Sequence, residues 1–202
     1  MLHPDYVVPE AILGRFYHAL KNLYKELPKF DKETGERALA FRLGVHLEKV
    51  FPGLNVDAEY NRNGTEFKRI KNLYEINLSP LDLKYLEGIF PGVSSRHKLR
   101  ESLQPENGDQ FYPDLIVHER GENRSNTLVV EVKRKDNLSL VDIHQDFKKL
   151  KALTTTYQED IPYKYAVGLF LHIHPQNIEQ THWLAFINGE IEHELSHWQF
   201  KK

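Results

Sequence analysis

Hydrophobic and polar positions along this chain follow two periods, and the changes from one to the other mark out its elements. Ile12, Phe16, Leu20, Leu23 and Leu27 recur at helical spacing, which predicts a helix over residues 9–26 that Pro28 stops. A second helix begins near Glu33, carries Ala38, Leu39, Phe41, Leu43, Val45, Leu47 and Val50, and is closed by Pro52-Gly53. The period then changes to two. Leu54, Val56 and Ala58 fall on one face of a strand over 54–60, with Asn55, Asp57 and Glu59 on the other. Residues 61–110 keep neither period for long: Asn63-Gly64 and Pro80 mark turns, 81–89 predicts a short helix closed by Pro91-Gly92, and 94–109 is polar. That length is too great for a hairpin connection and predicts an insertion with some structure of its own.

Downstream the pattern sharpens. Residues 112–118 and 127–134 predict two strands, and the short polar link 121–126 joins them as an antiparallel hairpin. An amphipathic helix over 140–154 gathers Val141, Phe147, Leu150 and Leu153 on its apolar side. Residues 165–173 are almost continuously apolar, as in a strand covered on both faces. Asn188-Gly189, between 183–187 and 190–198, predicts a terminal hairpin. The order predicts a single α/β domain over 1–202, a mixed β-sheet flanked by helices. It has an N-terminal helix within 1–30, an insertion at 61–110 between the first and second core strands, and a C-terminal hairpin extension at 175–202.

Composition narrows the setting. The 202 residues, 40% hydrophobic and 28% charged, suit one globular domain. Cysteine is absent, which removes disulfides and thiolate metal sites. No apolar run approaches the roughly 18 residues of a membrane span, and the N-terminus has no signal-peptide pattern, so the expectation is a cytoplasmic protein with no membrane partner. A net charge of −2 excludes a molecule coated in positive potential. Basic residues are nevertheless grouped at Lys68-Arg69-Lys71, Arg96-His97-Lys98-Arg100, Lys133-Arg134-Lys135 and Lys148-Lys149-Lys151. Taken singly, such a group reads as a solvated face.

Two strands carry charges that a buried strand would not choose for stability. One is Tyr112-Pro113-Asp114-Leu115-Ile116-Val117 and the next is Leu128-Val129-Val130-Glu131-Val132-Lys133. Period-two alternation places Glu131 and Lys133 on one face. Two carboxylates beside an ammonium at the rim of a sheet can hold a hard divalent cation next to a water, the equipment for metal-dependent phosphodiester hydrolysis.

The element order, Pro113-Asp114 at one strand and Glu131-Val132-Lys133 on the next, resembles the PD-(D/E)xK nuclease superfamily and its restriction-endonuclease-like fold. The core of that fold is a helix, a three-stranded meander, a second helix and another strand. Here they would be helix 33–51, strands near 54–60, 112–118 and 127–134, helix 140–154 and strand 165–173. The run Glu36-Arg37-Ala38-Leu39-Ala40-Phe41-Arg42-Leu43, with Glu59-Tyr60-Asn61-Arg62 and Tyr112-Pro113-Asp114, is also similar to an uncharacterised bacterial group of that superfamily.

The resemblance implies roles residue by residue. Asp114 and Glu131 would bind Mg²⁺ or Mn²⁺, with the Val132 carbonyl oxygen and waters completing the shell. Glu36, with Glu33 as second choice, would add a ligand directly or through water. Lys133 would hydrogen-bond the attacking water or the phosphate, and Gln145 falls where some members place a polar active-site residue. Arg62, Lys68, Arg69, Arg96, Lys98 and Arg100 would contact phosphates, giving affinity without sequence information. Tyr60 and Tyr112 lie where they could stack on a base. The implied activity is that of a DNA endonuclease, and a homodimer would suit an enzyme that cuts two strands.

Two other readings compete. The same fold also hosts modules that bind DNA or a protein partner without cutting. His193-Glu194-Leu195-Ser196-His197 fits H-E-x-x-H, a zinc hydrolase signature. That chemistry needs a helix to put both imidazoles on one face, whereas this segment follows Asn188-Gly189 and predicts a strand. His172 and His174 share a face at a strand end and read as ordinary strand-end histidines. Asp57 reads as a half-solvated strand residue, with Glu59 open as an additional ligand.

Overall fold

The computed structural model describes residues 8–27, 34–59, 62–63, 66–67, 69–70, 78–80, 82, 84, 86, 109–110, 112–120, 126–134, 140–155 and 163–197. For 62–63, 66–67, 69–70, 109–110 and 140–141 it gives the backbone alone. Helix α1 (Pro9–Glu26) opens on a proline, whose missing N–H costs nothing in a first turn. It buries Ile12, Phe16, Leu20 and Leu23. Helix α2 (Glu36–Val50) buries Leu39, Leu43 and Leu47; its expected start at Glu33 lies outside the described residues. The two helices are tied by Arg42, whose Nη2 and Nε donate to Glu26 Oε2 at 2.5 and 3.1 Å.

Among the described residues the strands in chain order are β1 (Asn55–Ala58), β2 (Arg62–Asn63), β3 (Glu66–Phe67), β4 (Arg69–Ile70), β5 (Asp109–Gln110), β6 (Leu115–His118), β7 (Asn126–Arg134), β8 (Val167–Ile173), β9 (His182–Ile187) and β10 (Glu190–His197). Six of them form one mixed sheet in the order β1-β6-β7-β8-β9-β10. β1, β6 and β7 run as an antiparallel meander, with Val56 opposite Val117 and Ile116 opposite Val129. Helix α3 (Leu140–Thr154) then returns the chain so that β8 lies parallel to β7, Glu131 beside Phe170 and Lys133 beside His172. β9 and β10 add antiparallel to β8. The β9–β10 turn takes positive φ at both Asn188 (51°) and Gly189 (79°), the conformation a two-residue hairpin demands and that Asn-Gly supplies. Residues after 197 in the expected terminal strand lie outside the described set.

In the segment between β1 and β6, β2 pairs with β3, and β4 pairs with β5 through Ile70 and Asp109. The chain that leaves at Ile70 therefore comes back beside it at Asp109. Asp82, Lys84 and Leu86 have helical backbone, within the short helix expected over 81–89, and so does Pro80, expected as a turn. A capping box starts it: Ser79 N–H donates to Asp82 Oδ2 at 2.7 Å, and Asp82 N–H donates to Ser79 Oγ at 3.1 Å.

Helices cover both faces of the sheet. Leu115, Val117, Leu128, Val130, Val132, Leu169 and Leu171 pack with α1 and α2. Ile116, Val129, Phe170, Leu184 and Phe186 pack on the opposite face with Ile143, Phe147 and Leu150 of α3. Each such side chain contributes about 1.5–3 kcal/mol by leaving water, and alternation along β7 assigns Glu131 and Lys133 to the α3 face. At the β1 edge, Asp57 is half-buried, as its half-solvated reading expects, and it accepts from Arg120 Nη2 at 2.5 Å, with His118 Nε2 at 2.8 Å. Burial works against its charge, yet these two contacts hold its carboxyl below the usual range.

Candidate active site

The site begins where a strand ladder stops. β6 meets β7 at Leu115 opposite Val130. One ladder step further, Pro113 has no N–H to offer, while β7 continues to Arg134. The amides of β7 that face this side are taken by carboxylates instead. Val132 N–H donates to Asp114 Oδ2 at 2.6 Å, and Arg134 N–H donates to Glu36 Oε1 at 3.1 Å. Because a strand residue's N–H and C=O point to the same edge, the Val132 carbonyl lies along the edge that Asp114 occupies. Glu59 N–H donates to the Asp114 carbonyl at 3.3 Å. Glu59 has a left-handed φ of 49° and its own carboxylate rests on Arg37 at 2.8 Å.

On the α3 face, Glu131 and Lys133 meet Asp146 and Lys149. α3 turns Ile143, Phe147 and Leu150 to the sheet, and Asp146, three residues from Ile143 and four from Leu150, shares that stripe. Lys133 Nζ lies 2.8 Å from Asp146 Oδ2, and Lys149 Nζ lies 2.9 Å from Asp146 Oδ1. Lys149 Nζ is also 3.6 Å from Glu131 Oε1. Glu131 and Asp146 are each 2% exposed. Glu131 Oε1 accepts no hydrogen bond among the described residues.

Burial pushes the Glu131 carboxyl well above its ordinary range. Asp146 and Asp114 push it further, and Lys149 and Lys133 only partly offset them. Burial likewise raises Asp114, against the Val132 N–H and the Lys133 ammonium. Burial opposes the charge on Lys133 and Lys149, but the surrounding Asp146, Glu131 and Asp114 outweigh it and hold both above an ordinary lysine. Three carboxylates face two ammonium groups, so with every group ionised negative charge is in excess.

The structure thus gathers Asp114, Glu131, Val132 and Lys133 at one end of β7, with Glu36 half-buried and joined to that end through the Arg134 amide. Gln145 is exposed on α3, and the adjacent Asp146 is the side chain turned inward. Arg62 and Arg69 lie on β2 and β4 with side chains outside the described set; Lys68, Arg96, Lys98, Arg100 and Tyr60 lie outside it altogether. Tyr112 is 50% exposed just ahead of Pro113. His193-Glu194-Leu195-Ser196-His197 lies on β10, a strand, and His197 stacks on Trp183 at 4.8 Å between ring centroids. Among the described residues no three His, Cys, Asp or Glu side chains are grouped so as to hold a metal ion by themselves.

Neither Asp146 nor Lys149 is among the site residues that the sequence points to. A charge in the Ile143–Phe147–Leu150 stripe was the signal for Asp146, while Lys149 was hidden in a basic run that reads as solvated. Comparison with known protein families, curated proteins and solved structures finds no match to this chain.

Proposed function

We propose that this chain is a metal-dependent nuclease of the PD-(D/E)xK kind, hydrolysing phosphodiester bonds in DNA. The observation that carries the reading is Glu131, a carboxylate buried on a central strand with one oxygen that accepts no hydrogen bond among the described residues. Burying such a group in its charged form opposes folding unless cations compensate it; Lys149, 3.6 Å away, does so only in part, and a divalent ion would complete the compensation. The donor set fits Mg²⁺ or Mn²⁺, since Mg²⁺ takes one or two carboxylates and keeps several waters. Asp114, Glu131 and the Val132 carbonyl would hold the ion, with Glu36 acting through water. When bound, the ion supplies charge neutralisation at the phosphate and acidifies a water.

Without the ion, the carboxylates around Lys133 outweigh burial and raise its pKa. As the ammonium it would donate to a phosphate oxygen or to the attacking water. The element order supports the reading: α2, the β1–β6–β7 meander, α3 and then β8 is the sequence of core elements that the resemblance implies. A second reading, a module that binds DNA without cutting, draws on the fact that both lysines already pair with Asp146.

The test is cleavage of supercoiled plasmid and of single-stranded DNA with Mg²⁺, Mn²⁺ or EDTA, running Asp114→Asn and Lys133→Ala beside the natural protein. Asparagine is chosen because its amide oxygen can still accept the Val132 N–H. Metal-dependent cutting that falls about a hundredfold or more in both variants supports the enzyme. Cutting that survives both substitutions overturns the assignment. DNA binding without cutting, indifferent to metal and to Lys133→Ala, favours the binding module.

A further inference from the structure

We infer that the Lys149 ammonium is a resident counter-cation for Glu131, holding the position of charge that a divalent ion takes and giving way when the ion binds. This rests on the metal-dependent reading above.

The two lysines of the cluster are placed differently. Lys133 stands on β7 itself and pairs with Asp146 at 2.8 Å. Lys149 reaches in from α3, pairs with the other oxygen of Asp146 at 2.9 Å, and lies farther from Glu131, at 3.6 Å. Its side chain is 19% exposed against 2% for Glu131, so it has the more open path to solvent. The geometry makes its withdrawal inexpensive: moving off Glu131 gives up the 3.6 Å contact while Asp146 still holds the ammonium. A lysine stem with four rotatable carbons permits that movement without displacing the helix. The ammonium and a divalent ion on the same carboxylate would repel one another strongly in so buried a setting. Occupation of the site is then an exchange of cations. Without the ion, Lys149 compensates the buried Glu131 in part; with it, Lys149 retreats along Asp146. The natural protein accordingly binds the ion more weakly than the carboxylates alone would.

Mn²⁺ binding to the full chain, followed by the electron paramagnetic resonance signal of free Mn²⁺, tests this without reference to activity. Lys149→Met, which keeps the length and removes the charge, is expected to lower the Mn²⁺ dissociation constant about tenfold or more, a change of about 1.4 kcal/mol. Lys149→Arg should stay near the natural value. Adding Asp114→Asn to Lys149→Met should remove the gain, which ties the ion to this site. A second measurement uses the natural protein. Labelling by an amine-reactive reagent, read by mass spectrometry, should rise severalfold at Lys149 when Mg²⁺ is added and stay constant at Lys151, which pairs with Asp82 instead. If the natural protein binds Mn²⁺ in an Asp114-dependent way but Lys149→Met binds no tighter, or labelling of Lys149 is unmoved by Mg²⁺, the inference fails and the metal-dependent reading stands. If neither the natural protein nor Lys149→Met binds Mn²⁺, both fail together.

Discussion

Removing Asp146 offers a sharp test of how the charged cluster is held together. Each oxygen of this carboxylate carries one lysine, at 2.8 and 2.9 Å, and its side chain is 4% exposed. At an effective dielectric of about 20, each contact represents about 6 kcal/mol of Coulomb attraction before desolvation. Breaking a buried pair by deleting one partner costs about 3–5 kcal/mol in practice. Lys149 keeps Glu131 at 3.6 Å as an alternative, which puts the expected loss for Asp146→Ala near the lower bound, about 3 kcal/mol. For a chain of this length that corresponds to a fall in Tm of roughly 6–12 °C. Urea unfolding at neutral pH, with a thermal scan beside it, measures both. The decisive arm is the double variant Asp146→Ala/Lys133→Met. A buried ion pair replaced on both sides is often close to neutral, so the double variant should recover at least half of the single loss. A loss below about 1 kcal/mol for Asp146→Ala, or a double variant as unstable as the two single losses added together, would refute this account of the cluster.

Three further outcomes follow from the packing and the ion pairs. At Gly168 on β8 a Cβ would come within 2.9 Å of Thr154 Cγ2 and 3.2 Å of Leu150 Cδ2, so Gly168→Ala should lose about 1–3 kcal/mol in urea unfolding through overpacking against α3. Lys151 Nζ reaches Asp82 Oδ2 at 2.8 Å and Glu190 Oε2 at 3.1 Å; Lys151→Met should cost about 3 kcal/mol by stranding Asp82, and Asp82→Asn in the same chain should restore part of it at the urea midpoint. Asp57 has its carboxyl lowered in the folded protein, so its contribution is present above its unfolded pKa of about 3.9 and is lost as the pH falls through the lower folded value. Asp57→Asn should therefore cost about 1 kcal/mol at pH 7, discounted for the solvent-facing Arg120. Thermal scans of variant and natural protein should converge in acid, and a gap that stays constant with pH would count against the assignment.

What could be read from the sequence was what a local period encodes. The alternation around Glu131 and Lys133 needed only the two-residue repeat of a strand, and Asn188-Gly189 named its own turn. Pro113 was legible as a mark on a strand, but its consequence, a length of β7 that runs past β6 with amides bonded to Asp114 and Glu36, depends on pairing between distant segments. The half-solvated placing of Asp57 was legible, but nothing nearby in sequence announces its partners, His118 on the next strand of the sheet and Arg120 just past that strand's end. Lys149 and Lys151 sit in one basic run, yet they turn into two separate ion pairs, with Asp146 and with Asp82. A charge count along the chain cannot distinguish such inward lysines from solvated ones. Gln145 and Asp146 differ by a single helical step, about 100°, and that step decides which of them meets Lys133.

The end of β7 also has a kinetic consequence. Most amides in a sheet exchange with solvent only when a neighbouring strand separates. The Val132 and Arg134 amides are bonded to the carboxylates of Asp114 and Glu36, and they are freed whenever those side chains turn away. Register is fixed one step higher, where Leu115 faces Val130, so such openings stay local and leave the meander intact. Deuterium uptake at two positions of a nine-residue strand would then follow the state of Asp114 and Glu36 in the absence of any substrate. The amides of Leu128 to Val130, inside the paired ladders of β7, would serve as the reference beside them.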